Sequence, residues 1–254
     1  KMVAAAKLKK AESSLIASKP FTSSMQDVLG PFLTPDPEAD DYEPPESTLA
    51  LALSSDKGLC GGINSRVVKE MKTTIDAAEA AGTAPPKVMI VGGKVRDGLQ
   101  RTHGKHIGTT IDEAYGKNVT FALASFVTEQ MLAESADYTI TANKFKSVIA
   151  QDVETSTIKG PECLGGSGVL DEYEFEGEKE DILANMYQFN LATQVYSALL
   201  NNVTSELASK MTAMDSATTN ATEMINKLTI IYNRKRQAKV TTELTEIVAG
   251  AESV

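Results

Sequence analysis

The residues best equipped for chemistry lie in one short run, Ser54-Ser55-Asp56-Lys57-Gly58-Leu59-Cys60-Gly61-Gly62, which offers two hydroxyls, a carboxylate, an amine and a thiol. It follows an apolar stretch and precedes a helical pattern, where backbone N–H groups can hold a phosphate. Its spacing matches neither G-x-G-x-x-G nor G-x-x-x-x-G-K-[ST], so a structural strand-to-helix turn with Cys60 as a small buried residue is the better reading. Cys60 as a nucleophile would need a base, and the chain has two histidines, His103 and His106. They sit three apart in a polar segment without cysteine or a carboxylate pair at ligand spacing, which reads as surface histidines rather than a metal site. The Gly92-Gly93-Lys94 turn is too short to cradle a phosphate. Cys60 and Cys163 form neither a disulfide framework nor a metal spacing and are expected as free thiols. No catalytic residue, metal ligand or cofactor is assigned.

The elements that position these groups alternate. Thr48 to Leu53 reads as a short apolar strand, Arg66 to Ala81 as an amphipathic helix, and Lys87 to Val91 as a second strand. A short helix near Val95 to Arg101, a weak strand near His106 to Thr110 and a helix near Phe121 to Ser135 follow. Strands near Tyr138 to Thr141 and Lys146 to Thr157 complete the set, with Gly160 to Gly168 as a loose connection. This order gives a small α/β domain with a partly parallel sheet and helices.

Both ends of the chain are helical. Glu178 to Ala249 contains no Gly or Pro, and Val203, Leu207, Met211, Met214, Thr218, Ala221, Ile225, Leu228 and Tyr232 recur at steps of four and three. That spacing is the seam of a coiled coil, here a thin one with Thr218 and Ala221 in place of Leu or Ile. Met2, Ala5, Leu8, Glu12 and Leu15 show the same steps, so the N-terminal helix is the expected partner in a long antiparallel coiled coil, and Pro20 is expected to end its pattern by removing a backbone donor. The organisation is then an N-terminal coiled-coil helix (1–30), an acidic Pro-rich linker (31–47), the α/β domain (48–168) and a long C-terminal helix (169–254). The chain opens inside a helical pattern without an initiator Met, so residues upstream of Lys1 are expected.

The net charge of −9 is unevenly spread. Residues 1 to 19 hold five lysines against Glu12 alone, and Lys227, Arg234, Lys235, Arg236 and Lys239 cluster with no acid among residues 227–239. An acidic protein surface suits these patches better than nucleic acid, given an acidic chain without a reading motif. No run of apolar residues is long enough to insert in a bilayer.

Three separate stretches resemble one family, in the order that family has them. Lys1-Met2-Val3-Ala4-Ala5-Ala6-Lys7-Leu8 is similar to the N-terminal helix, Ser55-Asp56-Lys57-Gly58-Leu59-Cys60-Gly61-Gly62 to the central signature, and Ala208 to Asp215 with Leu228 to Arg234, Arg236-Gln237-Ala238 and Thr241 to Ile247 to the C-terminal signature of the ATP synthase gamma subunit. The resemblance implies a non-catalytic central-stalk rotor, with its helices inside the hexamer of alpha and beta subunits and its α/β domain beside the small central-stalk subunits on the membrane ring of c subunits. It implies that Arg236, Gln237 and Thr241 contact a beta subunit and that Lys7, Lys9, Lys10, Lys227, Arg234 and Lys235 form a basic collar facing acidic beta segments. Arg101-Thr102-His103 and Met224 to Thr229 are more similar to the mitochondrial form, which places the complex at the mitochondrial inner membrane, matrix side; the alternative is the bacterial plasma membrane, cytoplasmic side. A rival reading is a coiled-coil adaptor with a ligand-binding α/β domain.

Overall fold

The structure, a computed structural model, describes residues 2–34, 48–115, 118–133, 137–161, 163–164 and 173–252. The acidic linker beyond Thr34 lies outside these residues. The chain divides into two units, Lys1–Thr212 and Ala213–Val254.

Helix α1 (Met2–Leu33) is followed by β1 (Thr48–Leu53), α2 (Ile63–Ala81), β2 (Lys87–Val91), α3 (Gly93–His103), a 3-10 turn at Gly104–His106, β3 (Ile107–Ile111), α4 (Phe121–Leu132), β4 (Asp137–Phe145), β5 (Gln151–Ile158) and α5 (Lys179–Glu252). The sheet order is β3-β2-β1-β4-β5, parallel except for the β4–β5 hairpin. The central strand reads Thr-Leu-Ala-Leu-Ala-Leu because both its faces are covered. Ala50 and Ala52 point into a cluster with Val67, Met71 and Ile75 of α2 and Val95 and Leu99 of α3. Leu49, Leu51 and Leu53 point the other way, against Leu29 and Leu33 of α1, Val127 and Met131 of α4, and Leu183, Tyr187, Leu191, Val195 and Leu199 of α5. The small residues thus face one helical layer and the large ones the other.

Within the first unit α1 runs antiparallel to α5. Gly30 and Leu33 near the end of α1 share a cleft with Asn190 and Gln194, whereas Lys7 and Ser14 share a groove with Leu200, Val203, Leu207 and Lys210. The Phe21 and Phe189 rings meet edge to face at 5.7 Å. Leu8 and Leu15 of the expected seam are buried.

Two expectations are corrected. Pro20 does not end the helix: α1 continues through Pro20 and Pro31 to Leu33. Burial of Leu29 and Leu33 against the sheet offsets the missing donor at Pro20. The last strand starts at Gln151 rather than Lys146, because the N–H groups of Lys146 and Ser147 both turn back to the Ala150 carbonyl, at 3.3 and 3.0 Å.

Candidate functional site

The first two amides of the turn after β1 are occupied by the protein's own contacts. The Ser54 N–H donates to the Val91 carbonyl at 2.9 Å and the Ser55 N–H to Asn64 Oδ1 at 3.2 Å, so neither amide is available to a phosphate. Asn64 Nδ2 donates to Ser55 Oγ (2.8 Å) and to Cys60 Sγ (3.1 Å). The Cys60 thiol is buried, with Ser55, the Lys57 carbonyl and Asn64 around it and no base among them. It packs the turn, as its size suggests.

A groove of about 830 Å3 lies in the first unit, lined by residues that follow the carboxyl ends of β1, β2 and β3 and by α1 and α5. Of the expected collar it gathers Lys7 and Lys10; the Lys10 ammonium donates to Asn118 at 3.2 Å. Lys57, Arg96 and Lys210 join them, but Asp56, Asp97, Asp112, Glu113 and Glu206 line the same groove, giving as many acids as cations. Arg96 pairs with Asp112 and Asp97, and Lys210 with Glu206. A ligand anion therefore meets no net positive field. Lys9, on α1, is exposed.

The histidines are paired rather than free on the surface, which corrects the expectation. His103 Nε2 lies 2.9 Å from Asp76 Oδ1 and His106 Nε2 3.2 Å from Glu79 Oε1, with only 12 % and 10 % of the histidine side chains exposed. Asp76 and Glu79 stand three apart on α2, matching the spacing of the histidines, a periodic correspondence legible in the sequence once α2 is known to neighbour α3. Lys105 also reaches Glu79 at 2.8 Å, and the two hydrogen bonds hold the Glu79 carboxyl below its usual range. No group of three or more His, Cys, Asp and Glu capable of holding a metal exists among the described residues.

The second unit is helical and presents large apolar residues to solvent: Met224, Ile225, Leu228, Ile230, Ile231, Tyr232, Val240, Leu244, Ile247 and Val248 are all exposed. So many exposed apolar side chains on one helix mark an interaction surface. Lys227, Arg234 and Lys235 lie on this unit, exposed among them. Arg236, Gln237 and Thr241 are exposed too, and the Thr241 hydroxyl donates to the Gln237 carbonyl at 2.9 Å, which stacks these two on one face. No helix among the described residues is long and apolar enough to cross a membrane.

A family model described as ATP synthase matches residues 1–254. Among curated relatives, the ATP synthase gamma chain of Paramagnetospirillum magneticum is 40% identical over 274 residues, covering 100% of this chain and 92% of that protein, and that of Pelagibacter ubique is 36% identical over 272 residues with the same shares. Among solved structures, one of the Tetrahymena thermophila mitochondrial ATP synthase central stalk and c-ring contains a chain 28% identical, with TM-score 0.69, over 85% of this chain and 96% of that one. A chain of the Euglena gracilis mitochondrial ATP synthase shares the fold at 16% identity and TM-score 0.69, over 99% of this chain and 93% of that one. The chain belongs to the ATP synthase gamma family, a non-catalytic central-stalk subunit of the F-type complex.

Proposed function

We propose that the exposed helical unit of this rotor subunit works against the beta subunits through Arg236, Gln237 and Thr241, with Lys7, Lys9, Lys10, Lys227, Arg234 and Lys235 facing acidic segments of the hexamer. The observation that carries this reading is the exposed apolar helix from Ala213 to Glu252, whose Ile, Leu and Tyr side chains have no use in water and need a surrounding protein surface. Rotation of the membrane ring turns the chain, and its off-axis contacts favour different nucleotide affinities in the three catalytic sites. Such coupling requires contacts whose energy differs between states of the beta subunit. A guanidinium and a primary amide suit that task, because their directional hydrogen bonds exchange partners as the helix turns. The small seam residues Thr218 and Ala221 let the helix pass inside a close-fitting sleeve.

The test is substitution in the assembled complex. Arg236→Ala and Gln237→Ala are expected to lower ATP synthesis and hydrolysis while leaving subunit stoichiometry intact; unchanged rates for both would refute the assignment.

For the compartment we infer the mitochondrial inner membrane, matrix side, which the Tetrahymena thermophila mitochondrial neighbour supports. The curated relatives are bacterial and support the plasma membrane, cytoplasmic side, instead. Fractionation of the source cells with an antibody to this chain distinguishes them.

A further inference from the structure

In a sheet wound in both directions, ligands bind outside the carboxyl ends of the strands at the point where the strand order reverses. Here that point lies between β1 and β4: β2 and β3 extend the sheet on one side, β5 on the other. The crevice is filled by the protein's own helix. Asn202 of α5, itself buried, donates through Nδ2 to the Ser54 carbonyl just after β1 (3.1 Å) and lies 3.2 Å from the Tyr115 hydroxyl, while its Oδ1 accepts from Asn143 Nδ2 of β4 (2.9 Å). Burial pushes the Tyr115 hydroxyl above its ordinary pKa, so it stays neutral in this network.

Asn202 heads a row along one face of α5. The Ser205 hydroxyl donates to the Asn143 carbonyl (3.4 Å) and the Ser209 hydroxyl to the Cys60 carbonyl (2.5 Å). The steps are three and four, the same spacing as an apolar coiled-coil seam, but the side chains are polar and their partners are backbone or amide groups around the carboxyl ends of β1 and β4. An apolar seam can slip by a ridge and recover its contacts. The bonds of buried Asn202 and Ser205 and of half-buried Ser209 cannot, because any turn of the helix leaves these donors and acceptors unpaired.

We propose that Asn202, with Ser205 and Ser209, is the pin that fixes the axial rotation of α5 in the sheet unit, so that torque applied to one is carried by the other; Asn202 is a positioning residue for rotary coupling. The proposal rests on the rotor reading of the chain. It assigns the ligand crevice of the α/β fold to holding a helix rather than a small molecule.

The test uses the complete complex in proteoliposomes, carrying the wild-type chain, Asn202→Leu, or the double variant Ser205→Ala/Ser209→Ala. ATP hydrolysis, ATP-driven proton pumping and the amount of assembled complex are measured on each. Each buried bond holds the register by about a factor of five, so loss of three raises the slipped population on the order of a hundredfold. The expected result is a severalfold fall in pumping per ATP hydrolysed for Asn202→Leu, deepening as the opposing proton gradient grows, with hydrolysis retained. A merely structural role lowers the amount of complex and leaves that ratio unchanged, which would overturn the proposal. If Asn202→Leu does not assemble, the double variant decides: a wild-type ratio under load overturns the pin, a reduced one supports it. Failure of the wild-type chain itself to support coupled pumping would instead refute the rotor reading.

Discussion

Replacing Gly92 with alanine should be among the most damaging single-methyl changes in the sheet unit. Gly92 has φ +98°, and a Cβ built there lies 2.6 Å from the Ser54 carbonyl oxygen and 2.8 Å from both its carbon and Ser54 Oγ. The obstructing atoms are held on every side. The Ser54 N–H is bonded to Val91, Ser54 Oγ donates to the Gly92 carbonyl at 2.8 Å and accepts from the Val95 N–H at 3.2 Å, and the Ser54 carbonyl receives Asn202. A backbone of φ +98° and ψ 130° costs an L-residue about 1–3 kcal/mol, and forcing a methyl into a packed site adds about 1–3 kcal/mol, so a loss of about 2–6 kcal/mol, centred near 4, is expected. Gly82 supplies the control, with φ +72° and open space around its Cβ, so Gly82→Ala should lose only the backbone part, about 1 kcal/mol. In a Cys163→Ser background, pulse labelling of the buried Cys60 thiol across a urea series reports unfolding of the unit. With a slope of about 2–3 kcal/mol per molar, the Gly92→Ala midpoint should fall by more than about 1 M. Equal midpoints for the two variants would refute the argument that the backbone of Ser54 cannot yield.

Pro20→Ala should stabilise the unit by about 1–2 kcal/mol in the same titration, since it restores a helical donor worth about 3 kcal/mol and forfeits about 1 kcal/mol of unfolded-state restriction; a lower midpoint would show that Pro20 serves the bend of α1. Leu29→Ala, at a fully buried position between α1 and the sheet, should cost about 2–5 kcal/mol, with an unchanged midpoint counting against the packing described. Because the Glu79 carboxyl is depressed in the folded chain by Lys105 and His106, its contribution is present above its ordinary value of 4.5 and is lost as pH falls through the lower folded value. Acid titrations of thermal stability should therefore be flatter for Glu79→Gln below pH 4.5 than for the unsubstituted chain, and parallel curves would remove the pair from the account.

The strands most legible in the sequence are those whose character is set by burial on both faces. Thr48 to Leu53 and Lys87 to Val91 have the expected bounds because continuous apolar runs of that length have no stable place except inside a covered sheet. Local rules failed where a distant partner outweighed them. Pro20 breaks an isolated helix, but α1 draws its stability from Leu29 and Leu33 in the shared core. The hairpin before Gln151 is set by hydrogen bonds that Ser147 makes within four residues, and the β-branched Val148 and Ile149 concealed it. The histidine pairs escaped because their carboxylates stand 27 residues away.

The same chain-distance argument explains why the polar row on α5 was invisible beside the apolar seam. Along one helix the two patterns have one period, and periodicity reports only that a face has a partner, not what the partner is made of. Val203 and Leu207 line one groove with Ala11 and Ser14 of α1, and a face of that kind calls for no donors. Ser205 faces the Asn143 carbonyl, on β4 beyond its pairing with β1, and Ser209 faces the Cys60 carbonyl in the turn after β1; neither carbonyl is met by a neighbouring strand there, so the matching side chains donate. A helix that carries an apolar seam on one face and a donor row on another is specified twice, in position by packing and in rotation by hydrogen bonds. Beyond Ser209 the threonine hydroxyls at 212, 218, 219, 222, 229, 241, 242 and 245 bond their own helix, each four residues back. The segment from Ala213 onward carries exposed apolar residues, as the proposed role of a surface that leaves one partner site and enters the next requires.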